Sequence, residues 1–351
     1  MGALRRRSVI DWDLAVRTGQ SLARPGPDIS AAEAAEAVDG LREAAHSARE
    51  HVSAYTGLSA DPTRTPVLVV DRKRWIKASA DGFSVLAEPL ERRLLDAKAI
   101  TPMVRMAGAQ VTGVEVGGML AFMSSRVLGQ FDPFSSPGGR LLLVAPNIVA
   151  AVREMDVPAR DFELWVCLHE ETHRLQFGGV PWLGEHLRGQ VEELARTADF
   201  HSVDVSTLVD QLLSLIGRLL RGDPDASLLD LVQSEQQRLV VERITAVMSL
   251  LEGHADVVMD GVGPEVVPSV AVMRERFGKR RKGRGPMDRT VRRLLGLEQK
   301  MRQYRDGAAF VRAVVARVGH DEFSVVWQRP DHLPTPAEIA DPARWCARVL
   351  G

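Results

Sequence analysis

Cysteine is scarce in this sequence, with only Cys167 and Cys346 among 351 residues. That excludes a disulfide framework and fits a reducing compartment. Apolar runs long enough to cross a bilayer are also missing, so no membrane-spanning helix is expected. The opening MGALRRRSVIDWDLAVR meets Asp11 and Asp13 where an export signal needs an apolar core, which makes a cytoplasmic location the expectation. Neither sign of charge dominates. The formal net charge is -1, and such a balance draws a protein neither to nucleic acid nor to anionic lipid.

Charge is nevertheless uneven along the chain. Arg274 to Arg293 holds ten basic residues in twenty, with Phe277 as the sole interleaved aromatic and Gly278, Gly283, Gly285 and Pro286 as helix breakers. This composition suits a solvated loop rather than a base-stacking surface, so nucleic acid is not expected as a partner. Oligomeric state is not legible from composition.

The bulk of the chain is ordinary for a globular protein, 45% apolar and 26% charged. Its length suits one lobed domain or two closely packed ones. Ser30-Ala31-Ala32-Glu33 is a capping box that opens a helix running toward Tyr55. Pro66 to Asp71 and Arg140 to Asn147 are short, apolar stretches that read as two strands, with a helix from about Arg72 to Asp96 between them. Residues 102 to 128 carry Gly113, Gly117 and Gly118, which let another helix come close. From Asp161 onward nearly everything reads helical. The expected fold is α+β and mostly α-helical, with an N-terminal part (1–150) holding the strands and a helical part (151–351) holding the site.

That site is announced by WVCLHEETHRLQF, residues 165 to 177, in which His169 and His173 stand four apart and Glu170 follows the first. With Asp161 as N-cap and Gly178-Gly179 as stop, the stretch sits inside a helix. Residues four apart on a helix fall within roughly 40° of one another, so both imidazoles project from one face and can share a tetrahedral ion such as Zn2+. Glu170 reaches water beside that ion without binding the ion itself; metals of this kind acidify water, and the carboxylate takes its proton. Cys167, two positions before His169, is turned roughly 200° away and reads as a small buried residue. Glu171 reads as a surface or supporting group.

A third ligand is needed, and the spacing after His173 excludes the H-E-x-x-H-x-x-G-x-x-H extension. The best completion lies at Ser249-Leu-Leu-Glu252-Gly-His254-Ala-Asp256. There Thr245, Ser249, Glu252 and Asp256 form a polar stripe on an otherwise apolar helix. Glu252 as ligand, with Asp256 accepting from the outer nitrogen of a ligating histidine, gives the stripe something to face. The alternatives are an ion pair of Glu252 with Arg243, and His254 as the third ligand. Tyr304 and His254 are candidates to stabilise the developing oxyanion.

H-E-x-x-H followed by E-x-x-x-D resembles the gluzincin plan, although Glu252 lies 79 positions after His173, a wider gap than that plan uses. More broadly the chain resembles a bacterial zincin-like metallopeptidase family that carries a label of association with deazaflavin-coenzyme biosynthesis. The blocks that carry this likeness include LGQFDPF, LLLVAPN, LHEETHRLQF, LLEGHADVVMD and LPTPAEIADPARW. The resemblance implies zinc-dependent hydrolysis of a peptide or small amide. The competing expectation is a non-catalytic, metal-stabilised binding protein associated with deazaflavin metabolism; an intact Glu170 favours the enzyme.

Overall fold

The computed structural model describes residues 8–61, 63–97, 102–136, 138–197, 234–282 and 297–351. The chain divides into two compact units, one formed by Met1–Gly184 with Gly261–Met273 and the other by Glu185–Asp260 with Arg274–Gly351. The architecture is α+β and mostly helical, with one small sheet.

In the first unit, α1 (Trp12–Leu22) is capped by Asp11, whose side chain accepts from the Leu14 N–H. α2 (Ala31–Thr56) begins at the Ser30–Glu33 capping box, with both reciprocal hydrogen bonds formed. β1 (Val67–Val70), α3 (Arg72–Ala97) and α4 (Pro102–Ser124) follow. Gly117 lies where α4 crosses α1: a Cβ there would sit 2.6 Å from the Ala15 carbonyl oxygen, so only glycine permits this approach. Gly113 makes a similar contact at Asp11, whereas Gly118 faces open space.

Two strands complete the sheet, β2 (Gly129–Asp132) and β3 (Arg140–Val144), in the order β1-β3-β2. β1 runs parallel to β3 with Val67 opposite Leu141, and β2 runs antiparallel to it with Gly129 opposite Leu143. Leu141, Leu142, Leu143 and Val144 are all fully buried, as a central strand covered on both faces requires. β2 was not foreseen, because GQFD has neither an apolar run nor alternation. Strand β3 is also shorter than expected: α5 (Ala145–Met155) begins at once, with Pro146 in its first turn, where a residue lacking an N–H is tolerated.

α6 (Ala159–Gly179) packs on α2, β2 and β3. Its N-cap is Pro158 and not Asp161. Asp161 lies in the first turn, where its Oδ2 accepts from the Ser269 backbone N–H at 3.0 Å and the Ser269 hydroxyl at 2.5 Å.

The second unit contains most of α7 (Leu183–Thr197), α8 (Glu235–Gly261), part of α9 (Val270–Lys282) and α10 (Leu297–Phe323). Short turns and two small helices, α11 (Pro336–Ala340) and α12 (Pro342–Val349), close it. Phe310, Phe323, Trp327 and Trp345 form an aromatic core. Asp256 and Asp260 of α8 are both bridged by Arg274 and Arg312, which ties three helices together. The basic run beyond Lys282 lies outside the described residues.

Candidate metal centre

α6 forms because its core-facing side is continuous: Phe162, Trp165, Val166, Leu168 and Leu175 are buried against α2 and the sheet. This burial fixes the helix, and the helix fixes the two histidines. Their Nε2 atoms lie 3.2 Å apart, with the rings perpendicular. Two nitrogens bound to one tetrahedral zinc at about 2.0–2.1 Å stand about 3.3 Å from each other, so the spacing fits a shared ion. His173 Nδ1 meets Gln176 Oε1 at 2.9 Å. An amide oxygen only accepts, so the proton sits on Nδ1 and Nε2 keeps its lone pair for a metal. Gln176, buried and one turn after His173, is a partner of the motif that the sequence alone did not single out. Its signal was the i+3 spacing from a ligand histidine.

Glu170 is buried at 7% exposure, and its side chain lies against the first residue of β2. A Cβ at position 129 would stand 2.5 Å from Glu170 Cγ and 2.7 Å from both Cδ and Oε1. Gly129 therefore leaves the space that the carboxylate fills. Two residues along β2, Phe131 stacks on Phe177 of α6 with centroids 5.5 Å apart.

Glu171 is not a surface group. It is fully buried and paired with Arg174, whose Nε donates to Glu171 Oε2 at 2.6 Å while Nη1 donates to the Thr65 carbonyl and hydroxyl oxygens, both at 3.1 Å. Burial pushes the Glu171 carboxyl up to about 7 against the opposing pull of Arg174. Cys167 is buried as expected, its Sγ directed at the Leu41 carbonyl, and burial pushes its thiol well up.

In the second unit, Glu252 is half-buried on α8. Arg243, its alternative partner, donates instead to Gln190 and pairs with Glu193 at 2.8 Å. Asp256 accepts from Arg274 Nη1 and Arg312 Nη2, both at 3.1 Å. His254 is 1% exposed, its ring centroid 5.7 Å from Phe323 and 5.2 Å from Trp327, on a different side of α8 from Glu252. Tyr304 lies on α10, but its side chain falls outside the described residues.

A buried helix that presents H-E-x-x-H, with the glutamate lodged at the edge of a small sheet, is the arrangement of the zincin motif. The comparisons agree. The profile of the zincin-like metallopeptidase family matches residues 10–346, and the chain belongs to that family. A solved structure from Chloroflexus aurantiacus, described as a candidate hydrolase with a novel fold, is similar at 29% identity and a TM-score of 0.68, covering 97% of this chain and 98% of that one. No curated protein matches. The deazaflavin association finds no support in these matches. Among the described residues, no helix is long and apolar enough to cross a membrane.

Proposed function

We propose that the protein is a zinc-dependent hydrolase of peptide or small amide bonds, with His169, His173 and Glu252 holding the ion. The observation that carries this reading is the 3.2 Å approach of the two histidine Nε2 atoms, with the outer nitrogen of His173 tied to Gln176. Two nitrogen donors and one carboxylate form the His2Glu set of catalytic zinc sites, which keep a fourth position open. When bound, such an ion supplies Lewis acidity, polarising a carbonyl and acidifying water.

The remaining work falls to the chain's own groups. Glu170 takes a proton from the attacking water and delivers it to the departing nitrogen. Its placement at the start of β2 supports a peptide-like substrate. Among the described residues β2 is an edge strand, and strand addition of an extended chain there would lay an amide beside the carboxylate. Gln176 keeps His173 in the ligating tautomer. The Asp256–Arg274–Arg312–Asp260 network holds the helix that presents Glu252; Tyr304 is the proposed oxyanion stabiliser, since His254 is packed among aromatic rings on another side of that helix.

The test compares wild type with Glu170→Gln for metal content and for cleavage of a broad peptide and amide library. Equal zinc in both, with cleavage only by wild type, supports the proposal. Zinc in both and cleavage by neither refutes hydrolysis and leaves a metal-stabilised binding protein.

A further inference from the structure

The register of β2 fixes which of its backbone groups face away from the sheet. The Val144 N–H donates to the Leu128 carbonyl at 2.8 Å, which makes 128 and 144 a hydrogen-bonded pair of the antiparallel ladder. Leu141 turns the other way and donates to the Pro66 carbonyl, just before β1, at 2.9 Å. Hydrogen-bonded pairs recur every second residue. Gln130 and Asp132 therefore direct their N–H and C=O toward β3, and Gly129 and Phe131 direct theirs outward. Among the described residues nothing hydrogen-bonds to these outward groups of Gly129 and Phe131.

The same two residues share one face of the sheet, because side chains alternate along a strand. A Cβ on Gly129 would run into Glu170, and the Phe131 ring stacks on Phe177, about two turns further along α6, with centroids 5.5 Å apart. Gln130 and Asp132 face α3 instead: the Ser79 hydroxyl donates to Gln130 Oε1 at 3.2 Å, and Asp132 lies against Gly82. Along β2 the carboxylate of Glu170 and the aromatic pair thus follow one another two residues apart, roughly 7 Å. Leu141 and Leu175 nearby are closed to solvent, whereas Phe131 and Phe177 are only half-buried.

An extended chain laid along the outer side of β2 would hydrogen-bond to Gly129 and Phe131. Residues directly opposite each other in a ladder put their side chains on the same face. The residue opposite Gly129 then sits beside Glu170, and the residue opposite Phe131 sets its side chain against the two rings. A small side chain leaves those rings in water, and an acidic one meets their negative faces. A large apolar or aromatic side chain covers them.

We propose that Phe131 and Phe177 form a specificity subsite for a large apolar or aromatic side chain, two residues along the substrate from the one placed at Glu170. This rests on the reading of the protein as a peptide hydrolase and adds to it the kind of peptide that is taken.

The probes are fluorescein-labelled, alanine-based peptides of about eight residues, with a single Phe or Glu placed at each position in turn. Binding is measured by fluorescence anisotropy on zinc-loaded Glu170→Gln, and cleavage of the same peptides by wild type is located by mass spectrometry. Phe at one position, two residues from a residue that flanks the cleaved bond, is expected to raise both affinity and kcat/KM at least about tenfold over Ala or Glu there. Phe177→Lys is expected to shift the preference at that position from Phe to Glu, with zinc content unchanged. Phe177→Leu, which keeps α6 apolar, is expected to weaken the preference for Phe at least about threefold. Indifference to the side chain at every position, a preference confined to the residues flanking the cleaved bond, or a preference unchanged in both variants would overturn the subsite while hydrolysis stands. Binding with the Phe preference but no cleavage by wild type would sustain the subsite and overturn hydrolysis. No binding of any peptide would overturn the subsite.

Discussion

Gly129 and Glu170 share one space: the hydrogen on the glycine Cα faces the glutamate side chain, and a methyl group there would stand 2.5 Å from its Cγ. Gly129→Ala is therefore expected to displace the Glu170 carboxylate while leaving both histidines in place. Misplacing a catalytic group by about 1 Å costs on the order of a hundredfold in rate. Steady-state kinetics should show kcat reduced by that order and zinc content unchanged. A variant with wild-type kcat would mean that Glu170 can reach its working position without the space glycine leaves.

Gln176 holds the outer nitrogen of His173 at 2.9 Å. Removing the partner of a ligating histidine lowers metal affinity by about 10–100-fold. Competition with a chromophoric chelator is expected to show that loss for Gln176→Leu, with Gln176→Glu close to wild type because a carboxylate also accepts.

Glu163, 7% exposed on α6, is pushed up to about 7, first by burial and then by Glu36 and Glu43, against the pull of Arg160. A carboxyl raised in the folded state binds more protons there than in the unfolded chain, so stability falls as pH rises. The loss begins near the ordinary value of 4.5 and is complete above about 7. Glu163→Gln is expected to stabilise the protein by about 1–3 kcal/mol at pH 8 and to change little at pH 4. Urea unfolding at the two pH values checks the sign.

Gly253 and Gly307 mark the crossing of α8 and α10. A Cβ at Gly307 would meet the Ser249 carbonyl oxygen at 1.9 Å, and one at Gly253 would meet the Gly307 carbonyl carbon at 2.1 Å. Gly307→Ala is expected to force the helices apart and destabilise the protein by about 1–3 kcal/mol, in the range of overpacked cores. Because Glu252 adjoins Gly253, zinc affinity should fall in parallel. Thermal unfolding with and without added zinc separates the two effects.

These sites show what the sequence carried. The capped helix at Ser30, the strands at Val67 and Arg140 and the HEETH helix were legible because their signals are local: a side-chain cap, a run of Leu and Val, a four-residue spacing. β2 was not, since GQFD becomes a strand only by pairing with β3, a long-range event that leaves no period of its own. Of the two readings of Glu171, surface or supporting group, the surface one fails, because a lone carboxylate reads as exposed while its burial depends on Arg174 reaching Thr65, a residue 109 positions away in sequence. Asp161 looks like an N-cap and instead answers Ser269 from another part of the chain. The four-residue spacing of the histidines was thus visible in advance, and the groups packed against the motif, Gly129 and Gln176, needed the fold.

The central claim is a metal centre in which Glu170 acts on water without binding the ion. The direct measurement is zinc stoichiometry by atomic absorption, run alongside hydrolysis, for wild type, His169→Ala, Glu252→Ala and Glu170→Gln. The account predicts one zinc per chain in wild type and Glu170→Gln, loss of zinc in His169→Ala and weakened zinc in Glu252→Ala, with hydrolysis reduced by several orders of magnitude in Glu170→Gln alone among the zinc-loaded proteins. Wild-type protein that takes up no zinc, or a Glu170→Gln variant as active as wild type, would contradict it.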